Sequence, residues 1–451
     1  MQQCQSRRPM SRAVWAWGRA SLVLGLSAFL ISPVWALDLK EAFALAVLND
    51  AKFRASQANA EVTREKLPQA KAQLLPAISF SASRNQNNLT REKPTETQER
   101  YFSENQTLSL RQPLFRKPQW VAVAQARAEV EGAEAVLSYD KLELLTRLTT
   151  AYAEALVAED QLALVRSKKA SMTAQMQAAN MALVAGTGTR TDIDEAKARY
   201  DMVIAEELEA QQSLSYAREG VELITGEKLG KLAALDGDRI PASSLAERNL
   251  DDWWSLAEGN NPELQYWKQS VEVTRLEVEK ARAGHYPTLD AVAQVVHSAA
   301  ENVTSPSSNY RNRVLGLQLS VPLFSGGAIN SSIRQAHARL ASTEASLESA
   351  RRDLRMRLRK EFRGVTEGRL RILALEQAVR SAAQMVDSSR KSYTAGVRTL
   401  LDVFEAERVH QSSLHDLSQA RYAYLVAWVQ LHGLAGEAPE DAIAAVNSWL
   451  R

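Results

Sequence analysis

Cysteine is nearly absent from this chain, whose 451 residues include only Cys4. Cys4 lies before an apolar run at residues 20–31, which follows four arginines and precedes the small residues that end at Ala36. This pattern predicts a signal peptide over residues 1–36, cleaved after Ala36. The mature chain would then contain no thiol, which excludes disulfides and cysteine-ligated metal sites.

Long apolar runs and an excess of one charge are also missing. No stretch after Ala36 approaches 18 uninterrupted apolar residues, so we expect no transmembrane helix. The 55 basic and 53 acidic residues nearly balance, which argues against a nucleic-acid partner, because such a partner needs a basic stripe. An exported chain of this kind is periplasmic, secreted or part of a β-barrel, and its organisation has to separate these three classes.

The sequence offers little that could carry chemistry. Its histidines show no metal-ligand spacing, at positions 285, 297, 337, 410, 415 and 432. It has no Gly-rich phosphate loop, no nucleophile elbow and no pair of carboxylates in a plausible cleft. We therefore expect no catalysis, no metal and no cofactor, and energy for any transport would have to come from a partner.

What the chain does contain is an internal repeat. The segment Gln112-Pro113-Leu114-Phe115 returns as Val321-Pro322-Leu323-Phe324, and Val184-Ala185-Gly186 returns as Thr394-Ala395-Gly396. The offset is about 210 residues at each landmark, and a fixed offset of this kind indicates a duplicated architecture. Each half has the same predicted order: helix, two strands, one very long helix, a glycine turn and a returning helix.

The repeat predicts the domain boundaries. The first repeat covers residues 37–226 and the second covers residues 251–436. Between them lies a linker at 227–250, called equatorial because it falls midway between the two repeats, and a short tail covers 437–451. We predict strands at 77–90 and 103–112 in the first repeat and at 288–300 and 311–321 in the second. Four prolines mark the predicted strand–helix junctions, because proline ends a hydrogen-bond ladder; they are Pro76, Pro113, Pro287 and Pro322.

The four predicted strands alternate between apolar and polar residues. Residues 78–83 read Ile-Ser-Phe-Ser-Ala-Ser, and residues 107–111 repeat the alternation. Polar, turn-rich segments at 85–100 and 301–311 separate the strands and are predicted to be loops. Alternating strands of about ten residues are typical of outer-membrane barrels, although one hairpin alone would more often be an ordinary surface hairpin.

Two proline-free runs predict very long helices. Between Pro118 and Val184 there is no further proline, and the only glycine is Gly132. Residues 328–395 also lack proline and include two glycines. At about 1.5 Å per residue, each helix would reach roughly 100 Å. Apolar positions in the second run recur at spacings of three, four and seven, as in a coiled coil with gaps; they are Ile333, Ala336, Leu340, Leu347, Ala350, Leu354 and Leu358. The hairpins are predicted to turn at 186–190 and 396–399, on Gly186 and Gly396.

These features resemble the TolC family of outer-membrane export ducts. The paired proline junctions, the order of elements and the turn at residues 393–405, YTAGVRTLLDVFE, carry the resemblance over the whole mature chain. It implies a homotrimer in which twelve strands, four from each chain, form one barrel that continues into an α-helical coiled-coil tunnel. The residues support oligomerisation independently, because four strands cannot close a barrel and an open edge cannot face lipid.

The resemblance also implies functional residues at the tunnel tip. Asp402 and Glu405 lie three residues apart on one helix face and correspond to acidic rings at the periplasmic entrance. The alternative is a solvated helix start, where acids are favourably placed near the N-terminal dipole.

Four further residues correspond to a latch between helices: Thr191, Asp192, Tyr393 and Arg398. An Arg–Asp pair and a tyrosine hydroxyl could hold the hairpins closed and be exchanged for contacts with a partner. The alternative is simple helix capping by Thr191 and Thr399. Arg190, beside Asp192, could also compete with Arg398 for the pairing.

The sequence therefore predicts a passive exit duct in the bacterial outer membrane, with its helical tunnel in the periplasm. The implied partners are a periplasmic adaptor and an ABC or proton-driven transporter of the inner membrane. The cargo is a protein or small molecules, and the absence of a lipidation cysteine favours type I protein secretion over multidrug efflux. The rival interpretation is a periplasmic coiled-coil adaptor, although an adaptor would have a single long hairpin flanked by β-rich domains.

Overall fold

The computed structural model describes residues 37–94, 96–240, 248–300 and 308–451. The predicted signal peptide lies outside the described residues, as does most of the predicted loop at 301–311. The first repeat contains α1 (Leu39–Asn49), α2 (Ala51–Arg64), α3 (Lys66–Ala72), β1 (Ala77–Arg91), β2 (Thr97–Phe115), α4 (Lys117–Val184) and α5 (Arg190–Thr225). The second contains α6 (Leu250–Asn260), α7 (Pro262–Arg282), β3 (Thr288–Ala300), β4 (Ser308–Ser320), α8 (Ala328–Thr394), α9 (Leu400–Leu434) and α10 (Pro439–Asn447).

The N-terminal helical region consists of three helices, where the sequence pattern indicated one helix over residues 39–74 with a kink at Pro68. The breaks are at Asp50 and Glu65 instead. The Asp50 side chain accepts a hydrogen bond from the backbone N–H of Phe53 and so begins α2. Pro68 lies in the first turn of α3, where its missing N–H has no helical partner to lose.

The four strands form one antiparallel sheet in the order β1-β2-β3-β4. Most of the predicted loop at 85–100 is strand. Residues 85–91 belong to β1, as the overlapping strand prediction at 77–90 had it, and residues 97–100 belong to β2, which stays paired with β1 from Ala77↔Arg111 to Arg91↔Thr97. Residues 85–91 and 97–103 are mostly polar, and their three apolar or aromatic residues, Leu89, Tyr101 and Phe102, do not share one face, so the segments lack a regular alternation. Pro113 was also misjudged as the end of a strand: β2 continues through it to Phe115, with a register shift that accommodates the proline. The other three junction prolines, Pro76, Pro287 and Pro322, lie just outside strands as expected.

The two faces of the sheet differ in polarity. The register places Ile78, Leu110, Ala293 and Leu315 side by side on one face. The next row along that face contains Phe80, Leu108, Val295 and Arg313. The opposite face carries small polar side chains, including Ser79, Ser109, Gln294 and Gln318. One face therefore suits lipid and the other suits water.

The long helices have nearly the predicted bounds, with 68 residues in α4 and 67 in α8. Along the α8 seam Ala336, Ala350, Leu354 and Leu358 are buried, whereas Met356, which is not a seam position, is exposed. None of the helices in the described part of the chain is long and apolar enough to cross a membrane.

The largest core lies midway along the long helices. There α1, α6, α10 and the linker pack against α4, α8 and α9. The hydroxyl of Tyr152 on α4 donates to the carbonyls of Leu37 and Ala233, at 2.8 and 3.0 Å, and so connects the segment before α1 to the linker. The predicted tail contains α10, and a bridge between Leu235 and Leu450 joins it to the linker.

Candidate functional site at the hairpin turns

The two hairpins turn with the same local geometry. Gly186 and Gly396 both have φ of 75°, a left-handed conformation that glycine adopts without steric cost. Each glycine directly follows the C-cap of a long helix, at Ala185 and Ala395. The prediction of turns at these glycines is confirmed, and the turns position the residues that begin α5 and α9.

Both returning helices begin with a capping box. The side chain of Thr189 accepts from the backbone N–H of Asp192, whose carboxylate accepts from the Thr189 backbone N–H at 2.9 Å. Thr399 and Asp402 repeat the arrangement at the start of α9, also at 2.9 Å. Capping by Thr399 was expected, but the prediction of capping by Thr191 was wrong, because Thr191 lies inside the first turn of α5. Thr189 is the N-cap residue instead, since an acid follows it three residues later.

The two acids proposed for the entrance have different surroundings. The backbone N–H and the hydroxyl of Thr399, with the nearby Arg398 guanidinium, hold the pKa of Asp402 below its usual range. Asp402 is therefore a stable negative charge at the tip. Glu405 is exposed one turn further on and pairs with Arg408 at 2.9 Å. This partner offsets part of the charge that Glu405 would contribute to an acidic ring.

The four candidate latch residues are not joined to one another within this chain. The carboxylate of Asp192 is engaged in its own capping box, and Arg398 donates to the Ser389 hydroxyl at 3.2 Å on the preceding helix. Tyr393 and Thr191 are exposed. Arg190 lies 3.7 Å from Asp194, so it does not take the place of Arg398 beside Asp192. Any latch between Asp192 and Arg398 would therefore have to form between chains.

A different group of residues does join the two hairpins, and the sequence analysis missed it. Glu407 on α9 is buried and accepts from the Gln175 amide of α4 at 2.8 Å and from the Ser171 hydroxyl at 3.2 Å. Arg390 of α8 donates to the same carboxylate at 2.6 Å. We call these four residues the hairpin clamp. It connects both long helices through one side chain of a returning helix.

Apolar contacts surround the hairpin clamp. Phe404, one turn before Glu407, is buried against α4 and α5. The Arg199 guanidinium of α5 lies 4.4 Å above the Phe404 ring, within range of a cation–π interaction. The signal that could have revealed the clamp is an acid inside a buried stripe, because Val403, Phe404, Ala406 and Glu407 are all buried.

A second unanticipated cluster lies where the strands meet the helices. Asp290 on β3 is 2% exposed, and its carboxylate accepts from Arg111 at the end of β2 and from Arg116 just before α4. The distances are 2.9 and 2.8 Å for the two guanidinium Nε atoms. We call this group the junction cluster. It fixes the direction in which α4 leaves the sheet.

Comparison with known proteins places the chain in a family. The model of the family described as "Outer membrane efflux protein" matches residues 43–227 and 253–437, one match for each repeat. The alkaline protease secretion protein AprF of Pseudomonas aeruginosa is 35% identical over 96% of this chain and 90% of its own length. The outer membrane protein TolC of Vibrio cholerae is 29% identical over 94% of this chain and 96% of its own.

A solved structure agrees on the fold. The outer membrane protein VceC of Vibrio cholerae superposes with a TM-score of 0.73 at 19% identity, over 89% of this chain and 96% of the other. The expected fold class is confirmed: a mainly helical chain with four membrane strands, of the type that forms a barrel continued by a periplasmic helical tunnel. The comparisons give no support to the periplasmic adaptor alternative. This chain belongs to the outer membrane efflux protein family, and it is an outer-membrane exit duct of the TolC type.

Proposed function

We propose that this duct serves type I secretion of proteins. The observation that carries the proposal is the similarity to AprF along nearly the whole of both chains, at 35% identity. TolC of Vibrio cholerae matches over the same extent at 29%. Cargo of this class would be an unfolded or partly folded protein, which a tunnel bounded by helices of roughly 100 Å can conduct across the periplasm.

The duct would work as a homotrimer with two partners. Four strands with two open edges must pair with neighbouring chains before they can face lipid. A periplasmic adaptor and an inner-membrane transporter, of the ABC class for protein cargo, would supply contact at the tip and energy. The duct itself contributes a passage and a gate.

Gating would take place where the hairpins turn. Asp402 and Glu405, each present three times, would surround the entrance and concentrate cations there. Arg398 of one chain and Asp192 of the next would form the latch, with Tyr393 and Thr191 beside them. The hairpin clamp supports this arrangement, because it couples α9 to both long helices, so that movement of one hairpin would reach the other.

Deletion of the gene tests the cargo class. We expect the culture supernatant to lose one or a few proteins while tolerance to dyes, detergents and antibiotics stays within twofold of the parent strain. Re-expression of the full chain should restore secretion. A deletion strain with an unchanged set of secreted proteins and a large loss of drug tolerance would contradict protein secretion and indicate efflux instead.

A further inference from the structure

The outward face of the sheet changes from apolar to basic towards the hairpin loops. On β4 the outward residues are Leu319, Leu317 and Leu315, followed by Arg313 and Arg311. The three leucines are 64–87% exposed, as expected for side chains that face lipid. The long helices leave the opposite end of the sheet towards the periplasm, so the arginines lie near the outer surface of the membrane.

Distance places these arginines at the edge of the hydrocarbon layer. From Leu319 to Arg311 is eight residues, or about 27 Å along a strand. At a strand tilt of about 40° this corresponds to a height of roughly 20 Å, close to the apolar band of about 25 Å in outer-membrane barrels. An arginine that faces lipid is costly at mid-depth and nearly neutral at the interface. Arg311 lies near this interface and Arg313 about 5 Å below it, within reach of the charged head groups because a long arginine side chain can extend its guanidinium group towards them.

The charge on this rim is unbalanced on one face only. The outward face carries Arg313, Arg311 and Arg84 in three successive rows, and Glu104 is the one acid in those rows. Glu104 is already paired with Arg84 at 3.2 Å. No hydrogen bond or ion pair within the described residues occupies the guanidinium groups of Arg311 and Arg313, and both side chains are exposed. Two cations that have no partner among the described residues therefore face the level of the lipid head groups.

We propose that Arg311 and Arg313 bind the phosphate groups of phosphorylated glycolipids in the outer leaflet. A guanidinium group donates two parallel hydrogen bonds to a phosphate, which an ammonium group cannot do with the same geometry. The exposed leucines below would pack against the acyl chains of the same lipid. β1 and β4 are the two edges of the sheet, so in the trimer proposed above the next chain's β1, with Arg84, would lie beside this site.

The test uses the purified full-length oligomer in detergent and two lipid probes. Diphosphorylated lipid A should bind at least about tenfold more tightly than lipid A from which both phosphates have been removed. The R311Q/R313Q variant should lose that preference. The matched control is R91Q, which removes an exposed arginine from the opposite face of β1 and should keep the preference. Native mass spectrometry counts the bound lipids, and heat-modifiability on gels reports assembly separately.

Three results would overturn the proposal: equal binding of the two lipid forms to the wild-type protein, an undiminished preference in R311Q/R313Q, or an equal loss in R91Q. Inorganic phosphate at millimolar concentration should not displace the lipid, and complete displacement would identify a site for free anions instead. If R311Q/R313Q fails to assemble, the wild-type comparison of the two lipids decides alone. Failure of this test leaves the export function untouched, because assembly and secretion are measured independently.

Discussion

The two repeats share their turns but differ in their long-range contacts. The capping boxes Thr189–Asp192 and Thr399–Asp402 are equivalent in sequence and geometry. Glu407, by contrast, corresponds to the exposed Lys197 at the same offset. Arg390 corresponds to Asn180, whose amide donates only to a carbonyl of its own helix at 3.0 Å. The hairpin clamp therefore exists once, with its acid and its arginine both in the second repeat.

The strand–helix junctions show the same divergence. Asp290 corresponds to Ser79, which is exposed and shares a 2.7 Å hydrogen bond with Ser109. Local capping and turn chemistry was kept in both copies because each hairpin needs it to form. The clamp and the junction cluster, by contrast, each connect a residue of the second repeat to residues of the first, and each occurs once in the described residues.

The largest expected effect follows from loss of the junction carboxylate. Asp290→Ala leaves Arg111 and Arg116 without their shared partner, and removal of one member of a buried pair costs about 3 kcal/mol or more. The Arg111 side chain is 53% exposed, and its contact with solvent reduces that cost. We expect a marked loss of heat-resistant oligomer on gels. Ser79→Ala, the equivalent position in the first repeat, should assemble normally, and equal losses in the two variants would refute the asymmetry.

The hairpin clamp should have the next largest effect. Glu407→Gln keeps the shape of the side chain but removes its charge, which weakens hydrogen bonds from Arg390 and Gln175 by about 2 kcal/mol in total. We expect higher or more variable single-channel conductance in planar bilayers, because α9 is less firmly tied to α4. Lys197→Ala is the matched control and should conduct as the wild type does. Unchanged conductance in Glu407→Gln would mean that the clamp does not restrain the entrance.

Two variants distinguish the capping role of Asp192 from its proposed role in the latch. Asp192→Ala removes a capping interaction of about 1 kcal/mol and any pairing with Arg398. Arg398→Ala leaves the capping box intact and removes that pairing together with the 3.2 Å hydrogen bond to the Ser389 hydroxyl. If the latch forms between chains, both variants should raise conductance to a similar degree. A rise in neither variant, with thermal stability lowered only in Asp192→Ala, would support the capping role alone.

The acidic entrance should affect selectivity and leave stability nearly unchanged. Asp402→Ala with Glu405→Ala should reduce cation selectivity and abolish block by a trivalent hexammine ion, because the carboxylates that attract cations are gone. Exposed charges contribute little to stability, and loss of the Thr399–Asp402 capping interaction costs about 1 kcal/mol, so assembly should be normal. Glu195→Ala provides the control: Glu195 is the equivalent of Glu405 in the first repeat and pairs with Arg199. Wild-type selectivity in the double variant would place these acids outside the lumen.

Local signals were sufficient to predict most of the fold. The bounds of α4, α5, α8 and α9 agree with the sequence prediction to within one or two residues, because prolines and turn glycines mark their ends. The full length of β2 was not predictable from alternation, because its outer part is mostly polar and its two aromatic residues, Tyr101 and Phe102, are adjacent and so lie on opposite faces. Residues 97–102 pair with β1, and this pairing, rather than their composition, keeps them extended.

The two clusters were not predictable because their partners are distant in sequence. Glu407 lies 232 residues from Gln175, and Asp290 lies 179 residues from Arg111. No periodicity relates such pairs, and the repeat itself was misleading because neither cluster has a counterpart at the equivalent positions. Tyr393, Arg398, Asp402 and Glu405, by contrast, were found from one short motif, and their proposed roles depend on neighbouring chains.

The central claim is that this chain forms one third of an outer-membrane duct, and the mass of the assembled particle tests it most directly. The mature protein, extracted from outer membranes in mild detergent, should have three times the mass of one chain by light scattering corrected for detergent, or by native mass spectrometry. The two open edges of the four-stranded sheet require association with other chains, and membership of the TolC family implies that there are three. A stable, folded monomer in detergent would contradict the account.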